Sequence, residues 1–279
     1  MASIEEVVLK QLIELIKEDK LVLPTLPEVA LRAREVAESP QSSAGDIAKV
    51  INNDPAMAAR IIKVANSPLM RGPREITDVQ MAISRLGLTC ICNLITGLAM
   101  EQMFQATSDV VDKAMRKSWS HATEVAGIAH VLCRHYTPNL KPDQAMLAGM
   151  IHEIGVLPIL TYAEEASLNI DPITLQKLAE KIHPYVGAKI LESWKFPAEL
   201  ISVPRFYLKF DRTTESGNAD YTDLVMVANL QTYLGSDHPY TRMDWNKIPA
   251  FARVGLEPSG DSQDEDLSEA LSNATVMLK

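Results

Sequence analysis

The sequence predicts an all-α protein arranged in two helical lobes, and three observations point that way. Aromatic residues make up only 5% of the chain while Leu, Ala, Ile, Met, Lys and Glu are plentiful, a palette that favours helix over sheet. Apolar residues recur at helical spacing from end to end, and no stretch shows the alternation of a half-buried strand. Pairs of a capping residue and a proline recur where helices would begin. With 279 residues, 47% hydrophobic and 23% charged, the chain can bury a substantial core, in one large domain or two smaller ones, and wholesale disorder is excluded.

The elements follow in order. Ile4, Val7, Val8, Leu12, Leu15 and Ile16 lie at helical spacing, and Pro24 and Pro27 interrupt before a second helix from about Glu28 to Ala37. Ser43-Ala44-Gly45-Asp46 resembles a capping box opening a helix over Ile47 to Asn52. Asp54-Pro55 opens the next, where Asp can cap free amides and Pro loses nothing by lacking an N–H; it stops near Asn66-Ser67-Pro68. Thr77-Asp78-Val79-Gln80 reads as a further capping box, with Gly87 placed to end that short helix and Leu88 to about Phe104 forming an apolar central one. Long helices are expected from Ser108-Asp109 to about Tyr136 and from Pro142 to about Tyr162. Asp171-Pro172, His183-Pro184 and Phe196-Pro197 each read as helix starts. The polar stretch Asp211 to Asn218 reads as a loop, followed by a helix from about Tyr221 to Leu234 that Gly235 stops, a short one near Pro249 and a terminal one from about Asp264. The expected division is an N-terminal lobe over 1–107, a second lobe over 108–240 and a C-terminal helical extension over 241–279.

Charge and cysteine content narrow the function classes. A formal charge of −9 argues against a nucleic-acid binder, which usually shows a basic surplus. Part of the surplus is Glu257, Asp261, Asp264, Glu265, Asp266 and Glu269, read as a solvated acidic helix start and linker. Cys90, Cys92 and Cys133 cannot make a disulfide framework, which suits a reducing, cytoplasmic compartment. In a helix Cys90 and Cys92 point about 200° apart, so core packing is the better reading than a metal or redox pair. The acidic start Met1-Ala2-Ser3-Ile4-Glu5-Glu6 is unlike a signal peptide, and the uncharged run between Arg85 and Glu101 is shorter than the roughly 18 residues a membrane span needs. No membrane partner is expected.

Of six histidines, His130 and His135 read as packed or surface residues, and His238 sits in a loop-like setting with no role assigned. Ala148-Gly149-Met150-Ile151-His152-Glu153-Ile154-Gly155 is more informative. Gly149 and Gly155 lie three residues either side of His152, on one helix face, which predicts a groove beside the imidazole. Imidazole and carboxylate are donor types that divalent metals take. His183 adds a third imidazole at the expected mouth of another helix. Taken singly, each is more often a satisfied core or capping histidine; their joint arrangement on successive helices is what raises the metal reading.

Together these segments resemble a family. Leu23-Pro24-Thr25-Leu26-Pro27, Asp54-Pro55-Ala56-Met57-Ala58-Ala59-Arg60 with Ala65-Asn66-Ser67, and Ile76 with Ala82-Ile83-Ser84-Arg85-Leu86-Gly87 resemble the HDOD domain. So do Trp119-Ser120-His121, the His152-Glu153 segment, His183 with Gly187-Ala188, and Trp194-Lys195-Phe196-Pro197. The resemblance runs from about residue 23 to 234. It implies an HD-domain-like helical bundle with an additional N-terminal helical lobe, similar to the HD superfamily of metal-dependent phosphohydrolases.

In catalytic relatives a His, a His-Asp pair and a later Asp hold the metal; by resemblance those positions are His121, His152-Glu153 and Asn229, with His183 nearby. Glu for Asp moves the carboxylate by about 1.5 Å where ligand distances tolerate about 0.2 Å, and Asn for Asp removes a negative charge. Val156 stands where a Lys is frequent, Val203-Pro204-Arg205-Phe206 stands where two-metal relatives carry a His-His pair, and the Gly-Tyr-Pro signature of cyclic dinucleotide phosphodiesterases is absent. The expected function is therefore a non-catalytic signal-transduction or scaffold module, bacterial by resemblance, binding a protein partner or a nucleotide-like small ligand. It would need no cofactor, though a residual divalent metal has room at the degenerate site, and Asp54, Asn66 and Ser67 are candidate binding residues. The alternative is a metal-dependent phosphohydrolase or phosphodiesterase with an unusual His/Glu site.

Overall fold

Side-chain caps set where the helices of the first lobe begin. In a computed structural model of the chain, residues 4–18, 20–166, 171–258, 265–275 and 278 are described. The expected residues Met1-Ala2-Ser3, and Asp261 and Asp264 of the acidic stretch, lie outside them. After α1 (Ile4–Lys17) and α2 (Glu28–Glu38), helix α3 (Ala44–Asn52) starts at Ser43, whose backbone N–H and hydroxyl both donate to the Asp46 carboxylate. Helix α4 (Pro55–Ala65) starts at Asp54, which accepts from the Met57 amide at 3.0 Å. For α5 (Val79–Leu86) the cap is Asp78, accepting from Met81 N, and not Thr77; the carboxylate one residue later is the group that reaches the free amides. Gly87, at φ 83°, turns the chain by 116° into α6 (Leu88–Met100), a conformation glycine adopts without a Cβ penalty. Helix α6 then tightens into a 3-10 turn over Glu101–Met103, short of the expected Phe104.

The second lobe is built on α7 (Asp109–Tyr136), whose N-terminal amides at Thr107 and Ser108 are capped by Glu164. The expected single helix from Pro142 is two: α8 (Pro142–Ile151) and α9 (Val156–Glu165), separated by a turn at residues 152–155. By length and composition residues 142–165 could cross a membrane, but 83% of the apolar window is buried inside the protein. Helix α10 (Pro172–Ser193) begins at Asp171, which caps Ile173 and Thr174, and runs through Pro184 without restarting. His183 is therefore mid-helix and not at a helix mouth. Pro184 withdraws the N–H that would meet the Glu180 carbonyl, yet the helix continues past it. Helices α11 (Ala198–Phe206), α12 (Tyr221–Gln231), α13 (Pro249–Val254) and α14 (Glu265–Ala274) complete the chain; no strand is present among the described residues.

Helix α12 is buried from Tyr221 to Leu230 and forms the axis of the second lobe. Its Asp223 is fully buried and accepts from Arg212 Nη1 (2.6 Å), Arg253 Nε (2.7 Å) and Arg253 Nη2 (2.7 Å), while Arg212 also pairs with Asp220. This four-residue network pins the 211–218 loop and α13 to α12. Unlike the expected division, α1 lends Leu12 and Ile16 to the core of the second lobe.

The lobes meet where Gly97 of α6 faces Met150 of α8, so close that a Cβ on Gly97 would overlap the Met150 sulfur. Elsewhere the Trp194 indole N–H donates to Pro24 O (2.9 Å), and Arg34 donates to the carbonyls of Trp194 and Lys195 while lying 4.3 Å from the centre of the Phe196 ring. The Leu-Pro opening and the Trp-Lys-Phe-Pro segment, far apart in sequence, are two sides of one inter-lobe contact. At the chain's far end α14 packs on α7 at Gly127, where a Cβ would strike the Ala274 carbonyl.

Candidate functional site

The turn at residues 152–155 is what lets adjacent residues serve one site. In a continuous helix His152 and Glu153 would point about 100° apart. Here α8 ends at Ile151, and short bonds from Ile154 N to Ile151 O (3.1 Å) and from Val156 N to Glu153 O (2.9 Å) tighten the chain so that both face α7. The expected groove beside His152 is absent. A Cβ on Gly149 would collide with the Ala126 backbone of α7, and one on Gly155 with the His183 carbonyl and Gly187 N of α10. The glycines permit close helix packing around the imidazole instead of space beside it.

His152 is fully buried, and its Nδ1 lies 2.6 Å from Gly149 O. A carbonyl only accepts, so Nδ1 carries the proton and Nε2 presents a lone pair that no group among the described residues meets. Burial, with smaller contributions from neighbouring groups, pushes its pKa down to about 4, so the ring is neutral near pH 7. Across from it, α7 carries Ser118 and His121 one turn apart. The Ser118 hydroxyl donates to Glu153 Oε2 at 2.6 Å. Burial pulls the Glu153 pKa upward, but His121, His152, His183 and the Ser118 hydroxyl together outweigh it and leave the acid below its ordinary range. His121 Nε2 lies 2.8 Å from Asn229 Oδ1 of α12, donating to it, while Asn229 Nδ2 is buried without a partner.

His121, His152 and Glu153 bring one potential ligand atom each within 4.8 Å of one another. His183, expected beside them, does not join the group. Its Nδ1 donates to Ala179 O (2.8 Å), and its Nε2 accepts from the Tyr207 hydroxyl at 2.6 Å. Burial lowers the His183 pKa and raises that of Tyr207 well above the ordinary value, so neutral imidazole and intact phenol hold each other. The Tyr207 ring stands edge-on to His152, with centroids 4.8 Å apart at 87°.

Beyond the expected residues, Tyr233 lies 5.5 Å from the His121 ring, and His238 stacks on Tyr233 at 3.8 Å, so the unassigned histidine belongs to an aromatic cover over His121. Spacing gives a signal for Ser118, three residues before His121 on one helix; Tyr207 has no such signal because its contact is long-range. The three candidates in the first lobe lie apart from this cluster. Asp54 is spent on capping α4, and Asn66 makes paired bonds with Ile76 N (2.8 Å) and O (2.7 Å), both local architecture. Ser67 Oγ is buried with no partner among the described residues.

The model of the HDOD domain matches residues 23–209, two thirds of the chain. The chain belongs to the HDOD domain family. A protein from Shewanella amazonensis SB2B, provisionally named a metal-dependent phosphohydrolase, superposes with a TM-score of 0.87 at 31% identity over 99% of both chains. An HDOD domain protein with unknown function from Geobacter sulfurreducens gives 0.65 at 19% identity over 98% of both. A Marinobacter aquaeolei VT8 protein, provisionally named for signal transduction, gives 0.61 at 22% identity, covering 99% of this chain and 66% of that one. These last two show the shared fold. An uncharacterized Treponema pallidum (strain Nichols) protein is 23% identical over 250 residues, and the chain spans 47% of its length.

Proposed function

We propose that this HDOD chain is a non-catalytic module of bacterial signal transduction that acts by binding a protein or small-ligand partner and not by turnover. One observation carries the reading: within the His121–His152–Glu153 trio, His121 already spends Nε2 on Asn229, and the third imidazole, His183, lies outside the trio with its Nε2 spent on Tyr207. The donor set is short of negative charge for the metal centre of the catalytic relatives. Glu153 is its one carboxylate, already accepting from Ser118, and an amide at Asn229 offers a neutral oxygen where a carboxylate would balance a cation. The signalling assignment draws support from HDOD membership and from the Marinobacter relative's name. A cytoplasmic setting suits three free thiols, with burial pushing those of Cys90 and Cys92 up to about 12.

A second reading, a metal-dependent phosphohydrolase or phosphodiesterase, is favoured by the His121–His152–Glu153 trio, because two imidazoles and a carboxylate are the protein ligands of some catalytic zinc sites. The Shewanella relative's name points the same way. Hydrolysis of a generic phosphodiester with added manganese separates the two. The proposal expects no turnover above a His152→Ala control; turnover that His152→Ala abolishes would establish the second reading.

A further inference from the structure

Around the His121–His152–Glu153 cluster two buried polar atoms have no partner among the described residues, His152 Nε2 and Asn229 Nδ2, on residues 0% and 2% exposed. The first is an acceptor and the second a donor. His121 lies against both residues: its Nε2 meets Asn229 Oδ1 at 2.8 Å, and its ring centre stands 5.5 Å from that of His152. An interior polar atom left unmet is costly, so a pair of them beside one cluster points to a ligand.

Charge limits what that ligand is. Glu153 is the carboxylate of the cluster, and the groups that act most on it are His121, His152, His183 and Ser118, with no lysine or arginine among them. An enclosed carboxylate calls for a cation. Asn229 supplies a neutral amide where a second carboxylate would call for a divalent ion, so a monovalent one suffices. Hard alkali ions are best served by oxygen, whereas the His152 lone pair is met by an N–H donor. Spacing agrees. Acceptors held tetrahedrally at about 2.9 Å from an ammonium nitrogen stand about 4.7 Å apart, against about 3.4 Å for zinc ligands at about 2.1 Å. The ligand atoms of the cluster lie within 4.8 Å of one another, a span that admits the ammonium.

We infer that the cluster binds an ammonium group bearing free N–H donors, that of the ammonium ion or of a small primary amine, with Glu153, His152 Nε2 and the Asn229 amide oxygen as its acceptors. Binding turns the Asn229 amide over. In the free protein His121 donates to Asn229 Oδ1 and strands Nδ2. Turned over, Nδ2 donates to His121 Nε2 and Oδ1 faces the ligand; the two ends of the amide are nearly the same size, so the turn needs no extra room. His121, partly exposed, gives up its Nε2 proton to solvent, takes one from solvent at Nδ1, and stays neutral. Each stranded atom then has a partner. The inference gives the binding reading above a site and a ligand class, and rests on it.

The test is titration of the full chain, labelled with nitrogen-15 in its histidines, with ammonium chloride and methylammonium chloride at constant ionic strength, followed by NMR of the imidazoles. Potassium chloride and tetramethylammonium chloride, cations without an N–H, are the comparison probes. Ammonium and methylammonium should bind saturably and move the His121 proton from Nε2 to Nδ1; the comparison probes should leave it in place. Tighter binding of ammonium would identify the free ion as the source, tighter methylammonium an amine, and both support the inference. Glu153→Gln should weaken binding on the order of 10-fold or more, the worth of a charge-assisted hydrogen bond. Thermal unfolding checks that this variant folds, and the proton position in the native chain needs no variant. No saturable response, an equal response to potassium, or a His121 proton that stays on Nε2 with ammonium bound overturns the inference. That failure leaves the non-catalytic reading standing, because manganese-dependent turnover judges it separately.

Discussion

Replacing Tyr207 by Phe removes one oxygen from the centre of the second lobe. The phenol donates to His183 Nε2 at 2.6 Å, and the two residues are 2% and 1% exposed. The ring itself stays, so its edge-on packing against His152 is retained and no large cavity opens. What is lost is one hydrogen bond, and what is left is a buried imidazole nitrogen without a partner, a combination that costs about 1–3 kcal/mol. Urea unfolding of Tyr207→Phe, His183→Ala and the double variant forms a cycle in which the coupling energy should fall in that same range of about 1–3 kcal/mol. A coupling energy near zero would refute the claim that the phenol and the buried imidazole hold each other.

Gly149→Ala should destabilise the chain by about 3 kcal/mol or more, because the new methyl meets Ala126 backbone, which cannot swing aside as a side chain would; a loss in urea unfolding below about 1 kcal/mol would contradict that packing. Stability should also fall on mild acidification. Burial holds His130, which donates to Pro142 O, at a pKa of about 4 against an ordinary 6.5. The unfolded chain therefore takes up the proton first, so this stability is complete above pH 6.5 and drains away toward pH 4. Between about pH 7 and about pH 5 one such histidine contributes a loss of about 2 kcal/mol. His130→Gln should lessen the slope by about that amount, leaving the share of buried His152 and His183, and a native profile flat over that interval would exclude buried neutral histidines.

The sequence carried the helices whose ends are chemical. Asp54-Pro55, Asp171-Pro172 and the Ser43–Asp46 pair each name their own start, and the structure uses each as a cap. Breaks made by tertiary packing left no such mark. The turn at 152–155 lies inside an apolar run that reads as continuous helix, because what ends α8 is the fit of Gly149 and Gly155 against neighbouring helices. His183-Pro184 failed in the other direction: proline usually marks a boundary, but here α10 runs through it without restarting. Within the site, His121, His152 and Glu153 were legible from residue type and resemblance, and they do converge. The partners that redirect the site were not. Nothing local to Tyr207 announces that it will meet a histidine 24 positions earlier, and Asn229 shows its bond to His121 only once α12 is laid beside α7.

The account turns on whether the chain's own hydrogen bonds have replaced a metal ion, and metal stoichiometry measures that directly. Equilibrium dialysis of the native chain against micromolar manganese or zinc near neutral pH, beside Asn229→Asp, is the decisive comparison. The account predicts well under one ion per native chain and a clear gain in Asn229→Asp, where a carboxylate takes the place of the amide. One tightly held ion per native chain, lost in His152→Ala, would contradict it.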